Sequence, residues 1–177
     1  MKSHVKVGRT VYPNGKSTSD HRTPVDLFEQ MSSEVGGFDL DAAASDENHL
    51  VDNYFTIRDN ALSDLNEWRG KVWCNPPYNN TIEWVKKAHF ESGHSIFNES
   101  HASIVWMLLP VRSCTRWFHE WVMPFASEIR FIKGRLTFTG PNQLDNNSAP
   151  FGSMLVRFGG PVAEPRIVAA NKQGVVA

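Results

Sequence analysis

The stretch Val72-Trp73-Cys74-Asn75-Pro76-Pro77-Tyr78 constrains this chain more than any other. An apolar run of strand-favouring residues stops at a polar side chain, and two prolines and an aromatic follow. Each proline fixes its own φ, lacks an N–H and pushes the residue before it toward an extended backbone. The segment therefore reads as a strand delivering a rigid turn, with Asn75 and Pro76 presenting carbonyl groups in a geometry set in advance. Such a turn suits hydrogen-bond acceptors that must not relax.

With 177 residues, the chain has the size of one domain with its own core. It has no apolar run of about 18 residues, and residues 1–9 have no apolar segment of secretory type, so a soluble, cytoplasmic protein without a membrane partner is expected. Cys74 and Cys114 fit neither a disulfide framework nor a zinc ligand set. Cys74, closing an apolar strand, reads as a small buried side chain rather than a nucleophile. His89, His94 and His101 are spaced loosely around a polar stretch and have no second cluster to complete a metal site, so no metal is expected.

The net charge of −1 hides an asymmetry. Between Asp26 and Glu67 lie eleven acids and one base, Arg58. Bases are in excess elsewhere, with Lys2, Lys6, Arg9, Lys16 and Arg22 early and Arg112, Arg116, Arg130, Lys133 and Arg135 late. One reading is two solvated faces; the other is an acidic pocket for a cationic small molecule beside a basic face for a polyanion.

Along the chain, residues 1–20 are polar, basic and without sustained periodicity, as in a flexible arm. Thr23-Pro24 reads as an N-cap followed by proline at the first helical position, and Leu27, Phe28, Met31 and Val35 supply an apolar helix face that Gly36-Gly37 ends. Phe38-Asp39-Leu40-Asp41 alternates as a strand with Phe38 and Leu40 on one face, and small residues follow it, which let a ligand approach backbone. Tyr54-Phe55-Thr56 reads as a short strand, and Asp59 opens a turn of helix reaching Trp68. After Tyr78, Thr81 is placed to cap a helix with Ile82, Val85 and Ala88 inward. Residues 104–109 form a continuous apolar run, as in a strand buried on both faces. Ser113 is placed to cap a helix burying Trp117, Phe118, Trp121 and Val122. Two β segments follow, around Ile129 to Phe138 and around Met154 to Phe158, and no pattern is legible in the tail, residues 161–177. Strands alternating with helices and ending in a hairpin-like pair predict an α/β fold, a Rossmann-like three-layer sandwich with a mostly parallel sheet and an antiparallel hairpin-like edge, occupying residues 21–160. The six tryptophans read mainly as packing residues.

The central turn resembles the Asn/Asp-Pro-Pro-Tyr/Phe signature of S-adenosylmethionine-dependent methyltransferases that act on amino nitrogens. Around it, Thr23-Pro24 with Leu27-Phe28, residues 38–45 with Asn48, Tyr54 with Thr56 and Asp59, Ala61-Leu62, Trp68, Trp84 and Leu108-Leu109-Pro110 fall in the order and spacing of the phage-type DNA adenine methyltransferase (Dam) family. The segments 129–131, 134–136 and 151–158 are similar to it as well, so the resemblance covers about residues 20–160.

The resemblance implies transfer of a methyl group from S-adenosylmethionine to the amino group of adenine in DNA, with the base flipped out of the duplex. Asn75, Pro76, Pro77 and Tyr78 would form the catalytic loop. Thr23 and Pro24 would close over the methionine part of the cofactor, Asp41 with Ala42 and Ala43 would stand at the first cofactor motif, whose usual glycines are missing here, and Asp59 would meet the cofactor adenine. Asp39, Ala61 and Asn75 complete the expected cofactor site, although Asp39, inside the strand rather than at its end, also has a structural reading. Arg112, Arg116, Lys133 and Arg135 are expected to touch phosphate. The separate target-recognition domain of larger relatives is not expected here, because neither the gap before Asn75 nor the tail has room for it. Methylation of a protein glutamine or an RNA base by the same turn, and an inactive nucleic-acid-binding relative, are the competing readings.

Overall fold

The computed structural model describes residues 21–93, 102–139, 148–160 and 166–176, and the basic arm expected over residues 1–20 lies outside them. Among the described residues, six strands form one sheet: β1 (Leu40–Asp41), β2 (Gly70–Cys74), β3 (Ala102–Pro110), β4 (Glu128–Ile132), β5 (Ser153–Gly159) and β6 (Arg166–Ala170). Their order is β1-β2-β3-β5-β4-β6. β1, β2 and β3 are parallel, β5 is antiparallel to both β3 and β4, and β6 is parallel to β4, so β5 alone runs against the other five.

The hydrophobic pattern explains this order. β3 and β5 carry apolar side chains on both faces, with Val105, Met107, Leu108, Leu109, Met154, Leu155, Val156 and Phe158 all fully buried. Strands of that kind belong at the centre of a sheet. The antiparallel hairpin-like edge expected from sequence is therefore corrected: the reversed strand is central, and the edge beyond β4 is taken by β6. That edge strand comes from the tail in which no pattern was legible. It leaves Arg166, Ile167 and Ala169 exposed, so it carries little of the alternation by which strands are recognised.

Side chains alternate between two clusters across the sheet. Val72, Cys74, Val105, Met107, Met154 and Val156 face one side, where α2 (Thr81–Glu91) contributes Val85 and Ala88 and a π-helical turn (Phe118–Val122) contributes Phe118 and Val122. Trp73, Trp106, Leu108 and Leu155 face the other, covered by Leu27, Phe28 and Met31 of α1 (Val25–Val35). Phe38 belongs to this second side and Leu40 to the first, because the strand begins only at Leu40, whereas Phe38 sits in the approach to it and packs on Phe28 and Trp73. The helix expected after Ser113 is reduced to the π-helical turn, with Trp121 resting against His89 and Phe125 at the rim. No helix among the described residues is long and apolar enough to cross a membrane.

α1 is fastened to the sheet by Arg130, whose side chain is only 3% exposed. Its guanidinium donates to Glu128 Oε1 at 2.9 Å, to Glu34 Oε2 at 2.8 Å and to the Gly174 carbonyl at 3.0 Å, and it lies 4.6 Å from the centre of the Trp106 ring. One cation thus joins helix, sheet and the chain beyond β6. The Arg130 hydrogen bond holds the Glu34 carboxyl below its ordinary pKa. Arg130→Met removes the 2.9 Å partner of the buried Glu128 carboxylate and leaves it Arg157 at 3.7 Å and Arg166 at 3.8 Å, so the urea midpoint should fall by the equivalent of about 2–3 kcal/mol, and adding Glu128→Leu should recover part of the loss.

Candidate active site

Because β1 to β4 run in one direction, the residues following them share one edge of the sheet, where an open α/β sheet offers its backbone to ligands. Ala42, Asn75, Val111 and Lys133 stand at that edge, and the reversed β5 begins there at Ser153.

The position of β1 is set by Asp39. Its N–H donates to the Lys71 carbonyl at 2.7 Å, and its Oδ2 accepts from the Lys71 N–H at 2.8 Å. Gly70 makes room for this: its φ is +73°, and a Cβ there would lie 2.4 Å from Asp39 Oδ2. Asp39 is thus spent on holding β1 against β2, and it does not line the cavity described next. Asp41, two residues on, does.

A cavity of about 430 Å³ runs along the edge, within the range of roughly 300–1,000 Å³ usual for small-molecule sites. Asp41, Ala42, Ala43 and Ala44 line it from the end of β1, Asn75 and Pro77 from the end of the neighbouring β2, and Thr23 also lies in the lining. Phe55, Leu62 and Trp84 supply apolar wall. Ala61 also lines it, in a loop pinned to α2: Trp68 Nε1 donates to the Ala61 carbonyl at 3.0 Å, Lys87 Nζ donates to the Ser63 carbonyl at 3.0 Å, and the Trp68 N–H donates to Glu91 at 3.1 Å. That loop makes turns rather than the expected helix, and Tyr54 makes a single parallel bridge with Asp41 rather than a full strand.

Asp41 is 3% exposed. Its carboxylate accepts from the Leu50 N–H at 3.2 Å and the Ala43 N–H at 3.4 Å. Burial nevertheless pushes its pKa up to about 6, against the opposing pull of those bonds and of nearby His49. Of the eleven acids between Asp26 and Glu67, Asp41 is the one in the cavity lining among the described residues. Asp59 is placed otherwise: its Oδ2 accepts from both the N–H and the hydroxyl of Thr56 at 2.7 Å, which holds its carboxyl below the ordinary range. Thr56 and Asn60 reach the cavity lining, and Asp59 braces the turn between them.

At the central turn, the Asn75 amide donates to the His21 carbonyl at 2.6 Å and to Thr23 Oγ1 at 3.0 Å, while Asn75 Oδ1 accepts from the Tyr78 hydroxyl at 3.2 Å. This explains why the expected cap of α1 is displaced: the Thr23 hydroxyl serves Asn75, and Pro24 becomes the residue before the helix. Thr81 likewise is the first residue of α2, its hydroxyl donating to the Tyr78 carbonyl at 3.2 Å. Pro24, Pro76 and Tyr78 lie outside the cavity lining, and Pro76 is buried behind it. Burial raises the Tyr78 phenol above its ordinary pKa and also raises the Cys74 thiol, so Tyr78 is a neutral donor and Cys74 an inert packing group.

Sequence reasoning missed the rings around Tyr78. Phe151 meets its edge with centroids 5.5 Å apart, Phe138 lies at 6.4 Å, and His21 stacks at 5.5 Å. Each comes from a distant segment, and only the isolated aromatic character of Phe138 and Phe151 beside a polar stretch hinted at them.

Arg112, Lys133 and Arg135 are exposed near the shared edge, following β3 and β4. Arg116 is exposed but paired with Glu120 at 2.9 Å, one turn along the opposite layer. No group of three His, Cys, Asp or Glu residues able to hold a metal occurs among the described residues, and His94 and His101 lie outside them.

The raised Asp41 pKa fixes a sign. The folded state binds this proton more tightly than the unfolded chain, so the contribution favours folding at acid pH and is lost as pH rises through about 6. Asp41→Asn should therefore gain stability relative to the parent between pH 4 and pH 7, by about 2 kcal/mol in urea titrations.

A family model described as DNA N-6-adenine-methyltransferase (Dam) matches residues 14–175. A DNA N-6-adenine-methyltransferase of Escherichia phage T1 is 36% identical over 118 residues, covering 65% of this chain and 45% of that protein. One of Haemophilus phage HP1 (strain HP1c1) is 34% identical over 126 residues, covering 68% of this chain and 66% of the relative. The match thus spans under half of the first relative and just under two thirds of the second.

Proposed function

The chain belongs to the DNA N-6-adenine-methyltransferase (Dam) family, and we propose that it transfers the methyl group of S-adenosylmethionine to the exocyclic amino group of adenine in DNA. The observation that carries this reading is that Asn75 and Pro77 of the Asn75-Pro76-Pro77-Tyr78 turn line one cavity together with the buried Asp41 carboxylate. The substrate named for both relatives, adenine in DNA, agrees with it. We read the sheet, with α1 on one face and α2 on the other, as a Rossmann-like three-layer catalytic domain that takes in β6 as well as residues 21–160.

The residues present suit the methyl donor. S-adenosylmethionine carries a sulfonium and an ammonium against one carboxylate, and a buried carboxylate at one end of the cavity complements that charge. Ala42 and Ala43 let the ligand approach backbone, Ala61, Phe55 and Trp84 offer apolar wall to its adenine, Asp59 braces the Thr56 turn beside it, and Thr23, next to Pro24, faces Asn75. When bound, the donor supplies an electrophilic methyl group on sulfur.

The chain's own part is to prepare the acceptor. An adenine amino group is a weak nucleophile because its lone pair is delocalised into the ring. Asn75 Oδ1 keeps a lone pair beyond its bond to Tyr78, and the Pro76 carbonyl has no N–H partner among the described residues. Two fixed acceptors on the amino N–H groups draw the lone pair back onto nitrogen and stabilise the charge that builds there, without the reorganisation water would need. Neither is a strong base, so the proton leaves after the new N–C bond forms. The base must be flipped from the duplex to reach them, with Arg112, Lys133 and Arg135, and Arg116 beyond, on the phosphates.

Unmethylated DNA incubated with methyl-labelled donor should acquire N6-methyladenine, and Asn75→Ala should lower kcat about 10²- to 10³-fold while its urea midpoint falls by the equivalent of only about 1–3 kcal/mol, leaving the chain folded. Label found only in RNA or protein would overturn the substrate assignment. Calorimetric affinity for the donor should rise as pH increases through about 6, because the cation favours ionised Asp41. Asp41→Asn should bind more weakly and without that pH dependence.

A further inference from the structure

Residues 21–23, ahead of α1, close the reacting end of the cavity. Arg22 forms an antiparallel bridge with Thr139, its N–H donating to the Thr139 carbonyl at 2.9 Å and its carbonyl accepting from the Thr139 N–H at 3.2 Å. From this strap, the His21 carbonyl and the Thr23 hydroxyl take the Asn75 amide N–H groups. The His21 imidazole lies on the Tyr78 ring, with centroids 5.5 Å apart and planes 30° apart. Phe138 and Phe151 stand at 5.0 and 5.7 Å from it. A flat heteroaromatic ring thus fills a slot floored by Tyr78 and walled by two phenylalanines. The Tyr78 hydroxyl touches Asn75 Oδ1, so a nucleobase offering its amino group to that oxygen needs the same slot.

We infer that His21 is a placeholder for the target base and that residues 21–23 form a strap which DNA must displace. The identity of the base rests on the methyl-transfer reading; the occupied slot does not. To enter, the base must outcompete the strap's bonds to Thr139 and to the Asn75 amide and the ring contacts of His21. The strap's ion pair, Arg22 with Glu47 at 3.3 Å, involves an exposed carboxylate, and such pairs contribute little. An imidazole also offers less π surface than a purine, so the purine wins the exchange for the aromatic slot. Displacement frees the Asn75 amide from the His21 carbonyl and the Thr23 hydroxyl, which links arrival of the base to the side chain that receives it. His21, Arg22 and Thr23 all line the cavity that also holds Asp41, so the strap shares that cavity with the donor.

The test uses the full chain and unmethylated duplex DNA. By hydrogen exchange, the amides of Arg22 and Thr139 should exchange at least about fivefold faster with DNA bound; unchanged or slowed exchange would overturn the placeholder. In steady-state methylation, His21→Ala, which keeps the backbone carbonyl that Asn75 uses, should lower KM for DNA about fivefold with kcat within about twofold, the effect of removing one aromatic stack from the closed state. His21→Trp should raise KM. An unchanged or raised KM in His21→Ala would also overturn it. Opening of the strap by DNA without methyl transfer would sink the proposed activity and leave the strap standing, while methyl transfer with a closed strap would do the reverse.

Discussion

The orientation of one carboxamide, that of Asn75, is what the carboxyl edge of the sheet depends on. Its two donors face the His21 carbonyl and the Thr23 hydroxyl, and its oxygen faces the Tyr78 hydroxyl. Turning the amide over would set its oxygen against the His21 carbonyl oxygen, two acceptors with no proton between them. The arrangement is therefore single-valued, and Oδ1 is held on the Tyr78 side. Tyr78 keeps its proton because burial disfavours the phenolate, so the bond that steadies Oδ1 persists. The proline pair supplies the remaining rigidity, since neither Pro76 nor Pro77 has an N–H to pair elsewhere.

That amide is useful only at a fixed distance from Asp41, and the distance is set by strand register. Leu40 stands opposite Val72 and Asp41 opposite Trp73, with Asp39 locking the start of the pair through Lys71. A slip of one residue would exchange Trp73 and Cys74 between the faces of the sheet and put an indole where the α2 side has room for a thiol. The depth of the sheet guards against this. β3 and β5 are buried throughout their middle, and Arg130 ties the far side to α1, so the edge bearing the site is the rim of a rigid body.

Much of this was legible in the sequence because its signals are local. Val72 to Tyr78 announces strand and turn through proline stereochemistry, and residues 104–109 announce a doubly buried strand through unbroken apolarity. What failed was non-local. The placement of β5 between β3 and β4 depends on competition among strands for the centre, and β6 gains its place from an exposed edge that leaves no hydrophobic period. Thr23 shows the same limit on the scale of one side chain: a threonine before a proline carries the pattern of a cap, yet its hydroxyl is claimed by Asn75, 52 positions away in sequence. The acidic segment illustrates the difference between composition and site. Eleven acids suggested a field, but of them the cavity lining takes Asp41, while Asp39 and Asp59 are spent on backbone.

The β1 and β2 sides of the cavity differ in kind, and on the proposed reading this difference makes the site selective. At the β1 end, burial opposes the charge on Asp41, a cost that the neighbouring N–H groups relieve in part and a cation relieves further. On the β2 side the Asn75 donors and the Tyr78 face are already satisfied, by a strap whose ring contact a flat base would replace on the proposed reading. Electrostatic discrimination beside Asp41 and aromatic exchange beside Tyr78 would use separate physical terms, so on the proposed reading neither ligand substitutes for the other. Residues 21–23 line the same cavity as Asp41, so on the proposed reading displacement of the strap by a base would also be felt where the donor binds.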